Sequence, residues 1–185
     1  MRKLPFLIIT ALMIVVMETG YATKIGATPV ASQAGPPRLP NAFEDVLIND
    51  LIPMIDGTYR TIADRNHRAM AGLSMGGSQT LQITLAHLDK FSWIGSFSAP
   101  LRSFDAKTAY NGVFTDAASF NKKVNLLWIG AGTMETSMYQ GAQAMHQGLD
   151  QAGIKHIFFE SQGTSHEFQT WRRSLFDFAS RLFRK

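Results

Sequence analysis

"AGLSMGGSQT", residues 71–80, sets a lone serine, Ser74, between Gly72 and Gly76 and follows it at once with Gly77. The stretch before it reads as a short strand at about residues 68–71. The stretch after it, "SQTLQITLAHL", reads as a helix with Leu81, Leu85 and Leu88 on one face. A strand turning through glycines into a helix is either an ordinary tight turn or a sharp elbow that holds the serine hydroxyl out above the strand end. A G-x-S-x-G match alone arises by chance in roughly one chain in twenty of this size. The strand before and the helix after favour the elbow. There the serine takes an unfavourable backbone conformation, and side chains at the flanking glycines would clash across the turn. The new helix points free N–H groups at the same spot, so the backbone N–H of Met75 is an oxyanion donor candidate.

Working outward, strand and helix patterns alternate. "FEDVLINDLIPMIDGTY" is helical in spacing, with Pro53 marking a kink or a second short helix. "FSWIGSFSA", "VNLLWIGAG" and "HIFFES" read as strands, and Trp93 and Trp128 on them as core. "TSMYQGAQAMHQGLDQAG" and "TWRRSLFDFASRLF" read as helices, the first closed by Gly153. Residues 101–123 form a polar, irregular insertion with room for a short helix, expected to lie over the site and set specificity. The alternation predicts an α/β fold with a mostly parallel sheet and a ligand site at the carboxyl ends of its strands.

The 185 residues fit one domain with a sizeable core. A hydrophobic fraction of 45% and a charged fraction of 17% are those of a globular protein. The net charge of +4 is spread without a basic, aromatic-interleaved stripe, which argues against nucleic acid as a partner. With no cysteine, disulfides, thiolate metal sites and a cysteine nucleophile are excluded. Residues 1–22 hold an apolar run after Arg2 and Lys3, with Gly20-Tyr21-Ala22 as a cleavage-like end. That run fits a secretory signal, hence a secreted or periplasmic protein, or a buried parallel strand; it is too short for a stable membrane span. Residues 23–42, with four of the seven prolines, read as an irregular surface loop, and residues 43–185 as the catalytic domain.

A serine hydroxyl needs a base. Of five histidines, His67, His87, His146 and His156 fall on helices or strand starts and read as solvated or structural. His166, in "GTSHEF", lies in the loop after the last strand, on the same sheet edge as Ser74. The third member should be a carboxylate that fixes the imidazole tautomer, placed after a strand between the serine and the histidine. Glu135, 61 residues after Ser74 and 31 before His166, follows "LLWIGAG". Asp105, Asp116, Asp150 and Glu160 are weaker rivals. Phe168 and Trp171, close behind His166, are candidates to stack on a substrate ring, or to anchor the last helix.

"HRAMAGLSMGGSQTLQITLAHLDKFSWIGSFSAP", "NLLWIGAGTMET" and "FFESQGTSHEFQTWRRSLFDFASRLF" together resemble the esterase family of α/β-hydrolases. The likeness is greatest to feruloyl and acetyl xylan esterases of carbohydrate esterase family 1, with enterochelin esterases more distant. The resemblance runs from about Phe43 to the C-terminus. It implies the α/β-hydrolase fold, with helices on both sheet faces, Ser74 as nucleophile, His166 as base, and Glu135 at an acid position where aspartate is common. It also implies that "LMIVVMETGYA" is an internal strand and loop, and that the antiparallel strands and the His-Gly oxyanion loop normally before it are missing. The chain then looks truncated at the front. Loss of one oxyanion donor costs about 3–4 kcal/mol of transition-state stabilisation, and a missing sheet edge leaves a strand free to pair with a second copy. The expected activity is hydrolysis of feruloyl or acetyl esters of plant-wall polysaccharide through an acyl-enzyme. No metal or organic cofactor is implied. The rivals are an impaired remnant that binds carbohydrate or serves assembly, and an acyltransferase with the same triad, as in mycolyltransferases.

Overall fold

A computed structural model describes residues 13–18, 20–22, 30–32, 35–38, 42–101 and 103–184, and divides the chain into two compact units, residues 1–43 and 44–185. In the first unit, β1 (Val30–Ser32) pairs antiparallel with β2 (Gly35–Arg38). A short ribbon thus stands inside the stretch expected to be an irregular loop. Most of the strand or leader expected over residues 1–22 lies outside the described residues; residues 13–18 are neither helix nor strand.

The second unit begins within α1 (Phe43–Val46), which runs through a π-helical turn at Leu47–Leu51 into α2 (Ile52–Thr58). Pro53 sits in the first turn of α2, where its missing N–H is no loss. The Ile52 N–H reaches back five residues to the Leu47 carbonyl, so the ladder is already shifted when the proline arrives. The expected second short helix is therefore present.

Four strands follow, β3 (Ala69–Leu73), β4 (Trp93–Phe97), β5 (Leu126–Gly132) and β6 (Ile157–Ser161), all parallel and side by side in chain order. They are linked through α3 (Met75–Ala86), α4 (Ala117–Lys123) and α5 (Thr136–Gln151), and α6 (Phe168–Ala179) closes the chain. The period-two alternation sorts the core into two halves. Ile94, Leu127 and Ile129 face Leu81 and Leu85 of α3 and Met145 and Leu149 of α5. Trp93, Phe97, Leu126 and Trp128 face the opposite way, onto Phe178 and Leu182. Gly95 has its α-carbon so close to Phe178 that a Cβ there would stand 2.9 Å from the ring. Among the described residues, no helix is long and apolar enough to cross a membrane.

The 101–123 insertion departs from expectation. Its apolar side chains Phe114 and Phe120 are buried in the α3–α5 core, and Leu101, Phe104, Tyr110 and Val113 pack against them. Side chains on Gly141 and Gly148 of α5 would overlap the Leu101 carbonyl and the Phe104 ring respectively. The segment therefore descends along α5, away from the carboxyl edge of the sheet, and its polar composition hid an apolar seam.

Trp128 is fully buried, yet its indole N–H finds an acceptor, donating to Asp177 Oδ1 at 2.8 Å. The Arg181 guanidinium, which donates two hydrogen bonds to the same carboxylate, holds that carboxyl below the usual range, and the indole bond adds to the effect. Asp177→Ala strands the indole N–H, so urea unfolding at neutral pH should show a loss of about 1–3 kcal/mol. A folded-state pKa below the unfolded one gives stability that is present above the ordinary carboxylate range and lost as pH falls through the lower value. The gap between wild type and variant should accordingly narrow in acid.

Candidate active site

Every strand of the parallel sheet ends on the same edge, and each delivers one polar side chain just beyond its end: Ser74 after β3, Ser98 after β4, Glu135 after β5 and His166 after β6. Ser74 takes φ 53° and ψ −119°, a conformation that costs a non-glycine residue of order 1–3 kcal/mol. Its N–H donates to the Phe97 carbonyl at 2.8 Å, and its own carbonyl accepts from Gly77 N–H at 3.0 Å and Ser78 N–H at 3.2 Å. The turn is thus held from the neighbouring strand and from the helix that starts at Met75.

The glycines of the motif act unequally. A Cβ on Gly72 would overlap the carbonyl of Gly76, while one on Gly76 would meet nothing within 4 Å. The expectation that both flanking positions are closed to side chains therefore holds only for Gly72. Gly76 supplies the backbone that Gly72 must clear. Gly77 is tight in its own right, its absent Cβ lying 3.1 Å from Ala99, Phe97 and Ser96 atoms.

His166 stands with Nε2 3.0 Å from Ser74 Oγ and Nδ1 2.9 Å from Glu135 Oε2. The residues thus meet in a chain of two hydrogen bonds across 92 positions of sequence. The Glu135 side chain is fully buried while the imidazole is one-third exposed. A buried carboxylate needs donors, and Glu135 Oε1 accepts from Ser98 Oγ at 2.7 Å and from Gly132 N–H at 2.8 Å. Ser98 was not singled out by the sequence: it is one of three serines in "FSWIGSFSAP", residues 91–100. Its signal is conformational, a positive φ of 50° at a strand end.

The two loops that bring Glu135 and His166 together are stitched to each other. Met134 N–H donates to the Thr164 carbonyl at 3.0 Å, and Thr133 N–H to the Ser161 carbonyl at 3.1 Å. The Thr170 hydroxyl donates to Thr164 Oγ1 at 2.7 Å, and the Thr164 hydroxyl lies 2.8 Å from Ser161 Oγ, all three groups being buried. A side chain on Gly132 would overlap the Thr164 carbonyl, so the approach of the loops depends on that glycine.

Trp171 meets the His166 ring edge-on, with centroids 5.2 Å apart. It packs on the base, whereas Phe168, at the start of α6, is 74% exposed. Met75 opens α3, where its N–H has no intrahelical acceptor. The rival carboxylates are occupied elsewhere. Asp105 accepts from Lys107 N–H and the Thr108 hydroxyl, Asp116 caps α4 through Ser119 N–H, and Glu160 accepts from the Tyr139 hydroxyl. His67 pairs with Asp64 and His87 with Glu44, while His146 and His156 contact each other.

Residues 7–182 match the protein family described as "Putative esterase". The chain is 38% identical over 142 residues to an endo-1,4-beta-xylanase/feruloyl esterase of Xylanibacter ruminicola, a match covering 77% of this chain and 18% of that protein. A CE1 ferulic acid esterase from Anaeromyces mucronatus, solved in complex with ferulic acid, superposes with a TM-score of 0.65 at 21% identity, over 89% of this chain and 62% of that one. A fluorophosphonate-binding serine hydrolase of Staphylococcus aureus gives 0.63 at 16% identity, over 78% and 65%. The solved structures share the α/β-hydrolase fold. The chain spans about a fifth of the length of the curated relatives it matches.

The unequal glycines can be separated by urea unfolding. Gly72→Ala should cost roughly 1–3 kcal/mol as the backbone moves to clear the new methyl. Gly76→Ala, with open space in a first helical turn, should be neutral or slightly stabilising. The reverse order would contradict the elbow geometry.

Proposed function

The chain belongs to the esterase family, and on that premise we propose that it hydrolyses carboxylic esters through an acyl-enzyme formed on Ser74. The observation that carries this reading is the unbroken hydrogen-bond chain from Ser74 Oγ through His166 to the buried Glu135. In the proposed cycle Ser74 Oγ attacks the ester carbonyl as its proton passes to His166 Nε2. Glu135 accepts from Nδ1–H, which leaves Nε2 with the lone pair and steadies the imidazolium once it forms. The carbonyl oxygen gathers negative charge beside the Met75 N–H at the positive end of α3. The proton on Nε2 then goes to the departing alcohol, and a water activated by the same nitrogen releases the acid.

The substrate class we propose is a feruloyl or acetyl ester of plant-wall polysaccharide. Support comes from the xylanase/feruloyl esterase relative, which is well above 30% identical. The exposed Phe168 ring, two residues from His166, is offered as a platform for an aromatic acyl group. Trp171 instead fixes the base, because its ring is already spent on the imidazole edge.

Turnover of p-nitrophenyl acetate by the purified chain should fall at least about a thousandfold in Ser74→Ala; equal rates would sink the proposal. Glu135→Gln, which favours the wrong tautomer, should lower kcat by roughly 10³–10⁴. If the acyl site is aromatic, Phe168→Ala should raise KM for methyl ferulate while leaving p-nitrophenyl acetate hydrolysis nearly unchanged.

A further inference from the structure

At the opposite end of α5 from Glu135, three side chains with metal-binding atoms converge without any part in the proposed reaction. His146 and Asp150 lie one turn apart on α5, and His156 stands just before β6; one donor atom from each lies within 4.8 Å of the other two. His146 Nδ1 is 2.8 Å from His156 Nε2, His146 Nε2 is 3.6 Å from Asp150 Oδ2, and His156 Nε2 is 3.9 Å from Asp150 Oδ1. We propose that His146, Asp150 and His156 form a binding site for a divalent transition-metal ion, zinc in the first instance, which clips the end of α5 to the start of β6.

The orientation of His156 supports this independently of the cluster. Its Nδ1 is 2.8 Å from the Ile154 carbonyl, which can only accept, so the ring proton resides on Nδ1. In the neutral ring the lone pair is then on Nε2, directed at the other two residues. A backbone carbonyl that fixes the tautomer and aims the far nitrogen is the usual outer partner of a metal-ligating histidine. His146 is held too, its ring stacked on Phe158 at 4.7 Å and 13°. The His156 side chain is 2% exposed, whereas Asp150 is 63% exposed, so an ion would enter from the carboxylate side.

The donor set selects the ion. Two imidazole nitrogens and one carboxylate oxygen suit zinc, cobalt, nickel or copper, while magnesium and calcium want oxygen throughout. Donors about 2.0–2.2 Å from a tetrahedral centre stand roughly 3.3–3.6 Å apart. One donor atom per residue gives a set lying within 4.8 Å, and His146 Nδ1 and His156 Nε2 are 2.8 Å apart, so around one ion those two rings spread by about half an ångström while the exposed Asp150 carboxylate closes on them. Three protein ligands leave the fourth position to water. The site is eleven residues along α5 from Glu135, roughly 16 Å. Its effect should therefore be on stability, by tying the turn between α5 and β6, and not on turnover.

The test uses the full chain, free of any histidine tag and stripped with a chelator, titrated calorimetrically with zinc chloride and optically with cobalt(II). One equivalent of zinc should bind, the cobalt form should show visible bands of a tetrahedral ion, and zinc should raise the Tm. His146→Gln and Asp150→Asn change exposed or partly exposed groups, and each should weaken zinc binding by at least about tenfold. His67→Gln, which alters a surface histidine paired with Asp64, should bind as the wild type does. Absence of saturable uptake by the wild type, or equal affinity in His146→Gln, overturns the site. The unsubstituted chain's esterase rate, measured with and without zinc, keeps this outcome separate from that of the Ser74 proposal.

Discussion

A single buried charge organises the carboxyl edge of the sheet. The Glu135 carboxylate is out of water, and an ion so placed costs several kcal/mol unless its lone pairs are met. Three donors meet them, and each comes from beyond a different strand end: the Ser98 hydroxyl after β4, the Gly132 N–H at the end of β5, and His166 after β6. None of these loops can move without unpairing the ion. The length of glutamate is accommodated because its side chain folds back over a glycine. Oε1 lies only 3.0 Å from where a Cβ on Gly132 would be, and it accepts the N–H of that same residue.

Much of this was legible in the chain. Apolar runs such as "LLWIGAG" and "FSWIGSFSA" announce strands buried on both faces, and glycines next to Ser74 announce a turn too sharp for side chains. Parallel pairing then forces the residue after each strand to one edge, which is why chain order and strand ends suffice to bring Ser74, Glu135 and His166 into hydrogen-bonding distance. What stayed hidden depended on partners far apart. The role of Ser98 needs the side chain of Glu135, 37 positions on. The insertion was misplaced because its charged and polar residues outnumber its aromatics, yet Phe114 and Phe120 are 2% exposed. Gly76 was given a steric role that belongs to Gly72, since composition cannot say which of two glycines faces the other's backbone.

Two of the five non-glycine residues with positive φ, among the described residues, stand where the chemistry is proposed. Ser74 and Ser98 both hold positive φ, at the ends of adjacent strands, and neither is glycine. Such conformations persist only when their surroundings over-determine them. Ser74 is held by a hydrogen bond to the end of β4 and Ser98 by one from its N–H to the Gly130 carbonyl of β5, 2.7 Å long. Each strained residue is thus propped by the next strand along. Rigidity at the edge is inherited from the ladder below it.

The fit of Phe178 over Gly95 ties the last helix to the middle of the sheet by shape alone. Ring and hollow are halves of one volume, supplied 83 positions apart in the chain. A methyl gained at 95 has to be given up at 178, so the two sites drift through sequence space as a unit. Where relatives differ at one, the other should differ in the compensating direction.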